Sequence, residues 1–213
     1  MVVYKLIVGI IHANCYIVET EKKNAVIIDP GAESNKIMDF VEEKGLTVRK
    51  ILVTHGHFDH IGAISSIVKR TGAPVYIHPA DASKLQSPEK SLANLVPEVK
   101  FNKVTKYTPV FDEDDIKQDE LVFHVIHTPG HSKGSVCFVC NNFIFSGDTL
   151  FCGSVGRTDF PDGSLEEIKK SVNRLADLEG DYTVFCGHEK STTLDEERAT
   201  NVYIKDNYYD NNF

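Results

Sequence analysis

Apolar positions fall along the chain in short runs of two different periods. Val2–Val8, Asn14–Glu19 and Ala25–Asp29 are β-branched and apolar runs bounded by polar residues, and they predict three opening strands. Asp29-Pro30-Gly31 then supplies a turn. Across Ser34–Lys44 the period changes: Ile37, Phe40 and Val41 share one face of a helix, and Gly45 is placed to cap it. A buried strand at Lys50–Thr54, a helix over His60–Arg70 closed by Gly72, and a strand at Pro74–His78 continue the alternation. The pattern weakens from Pro79 to Pro109, where Pro88, Pro97 and scattered leucines predict a partly helical excursion. Leu121–His127, Ser135–Cys140 and Phe143–Ser146 read as strands again, the last two joined by Asn141-Asn142.

Ser164 with Glu167, and Thr193 with Glu196, have capping-box spacing at the starts of two late helices. Ile168, Val172, Leu175 and Leu178 form the buried stripe of the first, and Tyr182–Cys186 is the strand between them. This alternation predicts an α/β fold, and 213 residues suit one domain spanning 1–213. Hydrophobic residues at 41% and charged residues at 25% are the balance of a soluble globular chain. No apolar run approaches the ~18 residues of a spanning helix, so no membrane partner is expected. Met1–Ile11 reads as a first strand rather than a signal peptide. Cys15, Cys137, Cys140, Cys152 and Cys186 are an odd set without framework spacing, which predicts reduced thiols in a cytoplasm. A net charge of −8 argues against a nucleic-acid partner, because phosphate binding needs a basic footprint. The acidic run Asp112–Asp115 is expected to be a solvated loop rather than a cation site.

The chemistry concentrates in His55-Gly56-His57-Phe58-Asp59-His60, between a buried strand and a helix. Residues two apart on an extended segment point the same way, so His55 and His57 can grip one ion. Asp59 and His60 come at the turn into the helix and point elsewhere. Four donors within six residues crowd a single tetrahedral ion, so the spacing predicts two adjacent ions. At this composition the pattern arises by chance in roughly one chain per thousand of this length. His131, Asp148 and His188 each follow a strand, where ligands gather at the rim of an α/β sheet. Gly147 and Gly187 stand directly before two of them and permit a sharp exit.

Taken in order, His55-x-His57-x-Asp59-His60, His131, Asp148 and His188 resemble the metal site of the metallo-β-lactamase fold hydrolases. Asn14-Cys15-Tyr16 and Asp29-Pro30-Gly31 extend the likeness over nearly the whole chain. Within that superfamily the chain is most similar to small bacterial glyoxalase II-type proteins. Gly147-Asp148-Thr149-Leu150-Phe151, Gly156-Arg157-Thr158-Asp159-Phe160, Gly187-His188 and Glu197-Arg198 carry that similarity. The resemblance implies a four-layer αββα sandwich with two divalent ions at one edge, zinc first and iron or manganese as alternatives. It implies His55, His57 and His131 on one ion, Asp59, His60 and His188 on the other, and Asp148 bridging both. It also implies a helical C-terminal platform for glutathione, which the short stretch after His188 omits or reduces to one helix. Arg157 stands where those enzymes often place a Lys toward the substrate's carboxylate. Arg157 is expected either to grip that carboxylate or to pair with Asp159 or Asp162.

The expected activity is therefore metal-dependent hydrolysis of a small thioester, S-acylglutathione above others, by hydroxide generated at the ions and oriented by Asp59. A mononuclear iron persulfide dioxygenase of the same fold, holding iron by His55, His131 and Asp148 or a related subset, is the alternative. His124 and His127 are expected to pack or to support ligands from behind. Cys137-x-x-Cys140 lies within a strand and lacks the electropositive setting of a redox pair. Cys186 is a candidate to line the site.

Overall fold

The computed structural model describes residues 1–204. The first sheet runs β1 (Val2–Val8), β2 (Ala13–Glu19), β3 (Asn24–Ile28), β4 (Thr47–Leu52), β5 (Val75–Ile77) and β6 (Thr108–Pro109), in that spatial order. β1 to β3 pair antiparallel, and β3 to β6 pair parallel. The parallel strands require crossovers. These are α1 (Ser34–Glu43), the pair α2 (Phe58–Ile61) and α3 (Ile64–Thr71), and a segment opened by α4 (Pro79–Ala82). The second half supplies β7 (Asp115–Gln118), β8 (Leu121–His127), β9 (Val136–Cys140), β10 (Phe143–Gly147), the small hairpin β11 (Leu150–Phe151) and β12 (Ser154–Val155), and α5 (Leu165–Ala176). β13 (Thr183–Cys186), β14 (Thr192–Thr193) and α6 (Leu194–Thr200) complete it. The second sheet is ordered β14-β13-β10-β9-β8-β7, with β10 and β13 parallel.

Strand alternation divides the apolar side chains into three layers. Cys15, Ile17, Ala25 and Ile27 face Ile37, Met38 and Val41 of α1 and Ile64 and Ile67 of α3. Their neighbours Tyr16, Val18, Val26 and Ile28 point the other way, against Phe123, Val125, Phe138 and Phe145 of the second sheet. Ile126, Cys137, Ile144 and Val184 leave the far face of that sheet to meet Val172 and Leu175 of α5 and Leu194 of α6. The result is helix, sheet, sheet, helix: the expected αββα sandwich. Burial on both faces explains why β2 and β3 read as continuous apolar runs, while edge strand β1 alternates toward solvent.

Three local expectations are corrected. The helix over His60–Arg70 is two helices, because Ala63 donates its N–H to Pro30 and Gly62 lies against the Gly31 carbonyl. The capping boxes are half made: Glu167 and Glu196 donate their N–H groups to Ser164 and Thr193. Ser164, however, gives its own N–H to Gly130 O rather than to Glu167. The Asp112–Asp115 run is tied down, since Asp112 and Glu113 pair with Arg174 of α5 and Asp115 opens β7. The excursion after Pro79 is partly helical, as expected, and contributes to the core through Leu85 and Val104.

Candidate metal centre

Every strand that delivers a donor ends at the same rim. β3 and β4 are parallel and lead into Asp29 and His55; β8, β10 and β13 share one direction and lead into His131, Asp148 and His188. The two sheets are stitched at this rim, where Val136 donates to Thr54 O and Asn14 donates to Gly187 O. Asn14 Nδ2 and Tyr16 Oη both donate to Cys186 O, at 2.9 Å and 2.6 Å, fixing the segment that carries His188. Gly147 has φ +49°, the left-handed exit a strand-end turn requires. Gly187 is needed for space instead, because a Cβ there would overlap the Asp148 carboxylate.

Two donor groups meet at this rim. His57 Nδ1 lies 2.9 Å from His131 Nε2, which lies 3.2 Å from His55 Nε2. Opposite them, Asp59 Oδ2 lies 3.2 Å from His60 Nε2 and 3.1 Å from His188 Nε2. Each set brings three donor atoms within 4.8 Å of one another. Asp148 stands between them, with Oδ1 3.4 Å from His60 Nε2 and Oδ2 3.5 Å from His131 and 3.7 Å from His188. All seven residues singled out for the ions are therefore brought together. Arg157 sits at the mouth, donating from Nε and Nη2 to Asp159 at 2.7 Å, with its guanidinium 4.3 Å from the Phe160 ring centre. Its contact with Asp162 is not made; Lys84 takes that carboxylate.

The outer bonds set the ring protons. Asp29 Oδ2 can only accept, so His60 Nδ1 donates to it at 3.0 Å and turns the Nε2 lone pair inward. Arg157 O accepts from His131 Nδ1 at 2.8 Å with the same consequence. Thr54 gives its hydroxyl proton to Asp29 and is left to accept from His55 Nδ1 at 3.2 Å. Inward-facing lone pairs then crowd one another and the carboxylates. His60 Nε2 and Asp148 Oδ1 are buried without a hydrogen-bond partner. Buried polar atoms are costly in that state, and a cation among them removes the cost. The residues present suit divalent ions.

Electrostatics divide the centre in two. Burial, reinforced by the neighbouring His60, holds His55 well below the usual imidazole range. Burial and His131 push His57 down to about 3. Burial acts the same way on His60 and His188, yet Asp59 and Asp148 outweigh it and raise both. Burial would raise Asp59, but His60 and His188 hold it well below the carboxylate range. His55 and His57 therefore stay neutral, while the carboxylates around His60 and His188 favour positive charge there.

Asp29 and Thr54 were not identified as site residues from the sequence. The available signal was an acid ending an otherwise apolar strand. His124 and His127 lie away from the centre: His124 pairs with Glu113 and Asp115, and His127 stacks on His78 at 4.3 Å. Cys186 is buried among the apolar residues beneath α5, with its thiol pushed up to about 12 by burial, and does not line the site. Cys137 and Cys140 occupy opposite faces of β9, and burial pushes each up to about 11.

A cavity of about 290 Å³ opens onto the donors, walled by Ile11, Phe58, Leu92, Phe151 and Phe160 with Arg157 beside them. A larger one of about 440 Å³, lined by Lys84, Lys90 and Asp162, meets it at Leu92 but reaches none of the seven donors. Among the described residues no helix is long and apolar enough to cross a membrane.

Comparison with known proteins agrees with this geometry. Hydroxyacylglutathione hydrolase GloC of Haemophilus influenzae is 32% identical over 203 residues, covering 90% of this chain and 92% of that protein. The crystal structure of the BLEG-1 B3 metallo-beta-lactamase superposes with a TM-score of 0.89 at 31% identity, over 94% of this chain and 98% of that one. That of TTHA1623 in a di-iron-bound form gives 0.83 at 35%, over 93% and 98%. Residues 8–188 match the profile of the Metallo-beta-lactamase superfamily, and to that superfamily of metal-dependent hydrolases this chain belongs.

Proposed function

We propose that the chain is a binuclear metallohydrolase that cleaves S-acylglutathione-type thioesters. In this reading His55, His57 and His131 hold one divalent ion, Asp59, His60 and His188 hold the other, and Asp148 serves both. The observation that carries it is the pair of donor sets meeting at one buried carboxylate. Imidazole and carboxylate donors suit zinc first, with iron and manganese next. Ions held there would supply Lewis acidity and lower the pKa of water toward ~7. The di-iron form of TTHA1623 supports occupancy by two ions, and the GloC relative supports the substrate class.

The chain's own residues account for the rest. Asp59, kept ionised by His60 and His188, accepts a hydrogen bond from the attacking water and aims it at the acyl carbon. Ile11, Leu92, Phe151 and Phe160 exclude bulk water around that carbon. The leaving thiolate, with a parent pKa near ~8.5, departs without a dedicated acid. Asp159 engages Nε and Nη2 of Arg157 and orients the guanidinium, leaving Nη1 to meet a substrate carboxylate. The partner is a small molecule; the net charge of −8 speaks against nucleic acid, and five unpaired thiols speak for the cytoplasm.

Protein purified without added metal is expected to carry two ions and to hydrolyse S-lactoylglutathione, losing activity to a chelator and regaining it with zinc. One iron per chain with oxygen uptake on glutathione persulfide would overturn the hydrolase in favour of the dioxygenase. Turnover of a β-lactam with none of the thioester would overturn the substrate class. Arg157→Ala is expected to raise KM about tenfold with kcat little changed, the loss of one charge-assisted contact of about 1.5 kcal/mol. An unchanged KM would leave Arg157 to Asp159 alone.

A further inference from the structure

Asp81 is fully buried in α4, outside both donor sets, yet it is among the most heavily bonded side chains near them. Its Oδ2 accepts from Gly56 N at 2.7 Å and from Ser132 Oγ at 2.8 Å. Its Oδ1 accepts from Gly134 N at 2.9 Å and from Lys84 Nζ at 2.9 Å. Gly56 lies between His55 and His57, and Ser132 follows His131 directly. One carboxylate thus ties together the two segments that carry the three-imidazole set. Lys84, itself buried, continues to Asp162 at 2.6 Å, at the end of the segment whose Arg157 carbonyl receives the His131 ring proton. Asp29 plays the corresponding part for His60. Asp81 makes no hydrogen bond to an imidazole of the set; its bonded hold on them runs through the backbone and Ser132.

The position suits a charge that must stay. Four donors from three segments converge on it, and removing a buried acceptor strands them. Burial opposes its ionisation, but Lys84, Gly56 and Ser132 hold it below the usual carboxylate range.

We infer that Asp81 is a positioning residue that fixes the His55/His57 segment and the His131 segment against each other and thereby sets metal affinity at the three-imidazole donor set. This rests on the metal-centre reading above. Outer partners of metal ligands govern affinity by about 10–100-fold.

The test is zinc affinity by chelator competition, with the visible spectrum of the cobalt(II)-loaded protein as a second readout. The proteins compared are wild type, Asp81→Asn, Ser132→Ala and the control Asp119→Asn. Asp119 is similarly bonded, to Thr20 and Asn24, but remote from the centre, so its loss affects stability alone. Asp81→Asn is expected to weaken zinc binding about 10–100-fold and to shift the cobalt bands, with Asp119→Asn unchanged in both. Unaltered affinity in folded Asp81→Asn protein, or an equal loss in Asp119→Asn, overturns the proposal. If Asp81→Asn does not fold, Ser132→Ala decides: it deletes one donor on the His131 side and is expected to weaken binding several-fold, and unchanged affinity overturns the proposal. A wild-type chain that takes up no zinc fails the metal reading itself, and both fall together.

Discussion

Asp148→Asn is expected to lower kcat/KM for thioester hydrolysis by about a thousandfold or more, with the fold intact. The carboxylate reaches both donor sets, through Oδ1 toward His60 and Oδ2 toward His131 and His188. An amide of the same shape removes the charge and directs an NH2 group at an imidazole lone pair or at the neighbouring acid. Metal assistance is worth several kcal/mol in such reactions, and about 4 kcal/mol corresponds to a thousandfold. Metal content measured on the same sample is expected to fall below two ions per chain. The apo fold is held elsewhere, in three apolar layers, so the circular dichroism spectrum is expected to match wild type. Full turnover with full metal content would sink the assignment of Asp148. Asp59→Asn is the companion variant, but its carboxylate serves one donor set only.

The second large effect concerns stability. Phe138→Ala is expected to cost about 3–5 kcal/mol, read as a lowered urea midpoint with little change in slope. Phe138 is fully buried on β9, inside the layer between the sheets, and its backbone pairs with strands on both sides. Phe123, Phe145 and Tyr16 in the same layer are anchored on other strands, and each sheet is held rigid by its own ladder. A void there closes poorly, which places the cost at the upper end of the range for aromatic truncation. A loss under 1 kcal/mol would mean that the sheets draw together, and the account of the inter-sheet layer would be wrong. A loss of about 3–5 kcal/mol removes much of the stability of an ordinary, marginally stable chain.

The sequence alone determined much of this protein because local chemistry spoke where structure is local. Period-2 and period-3.6 patterns located most strands and helices, since burial of one face against another leaves that imprint whatever the partner. The seven candidate ligands were legible because His55, His57, Asp59 and His60 are dense in sequence and the other three follow strands directly. What escaped were features created by neighbours distant along the chain. The break at Gly62-Ala63 arises because Pro30 and Gly31 occupy that turn, Pro30 lying 33 positions from Ala63 and Gly31 lying 31 from Gly62. Asp29 read as part of a turn and nothing in the sequence singled out Asp81; only packing showed their oxygens bonded to the segments that bear His60, His55, His57 and His131. Cys186, two residues from a donor, faces the apolar layer because strand alternation and the exit after Gly187 turn it away. A sequence records which side chains can bind an ion. Which buried carboxylates hold them in place depends on hydrogen bonds between remote segments, and those exist only once the two sheets have closed on each other.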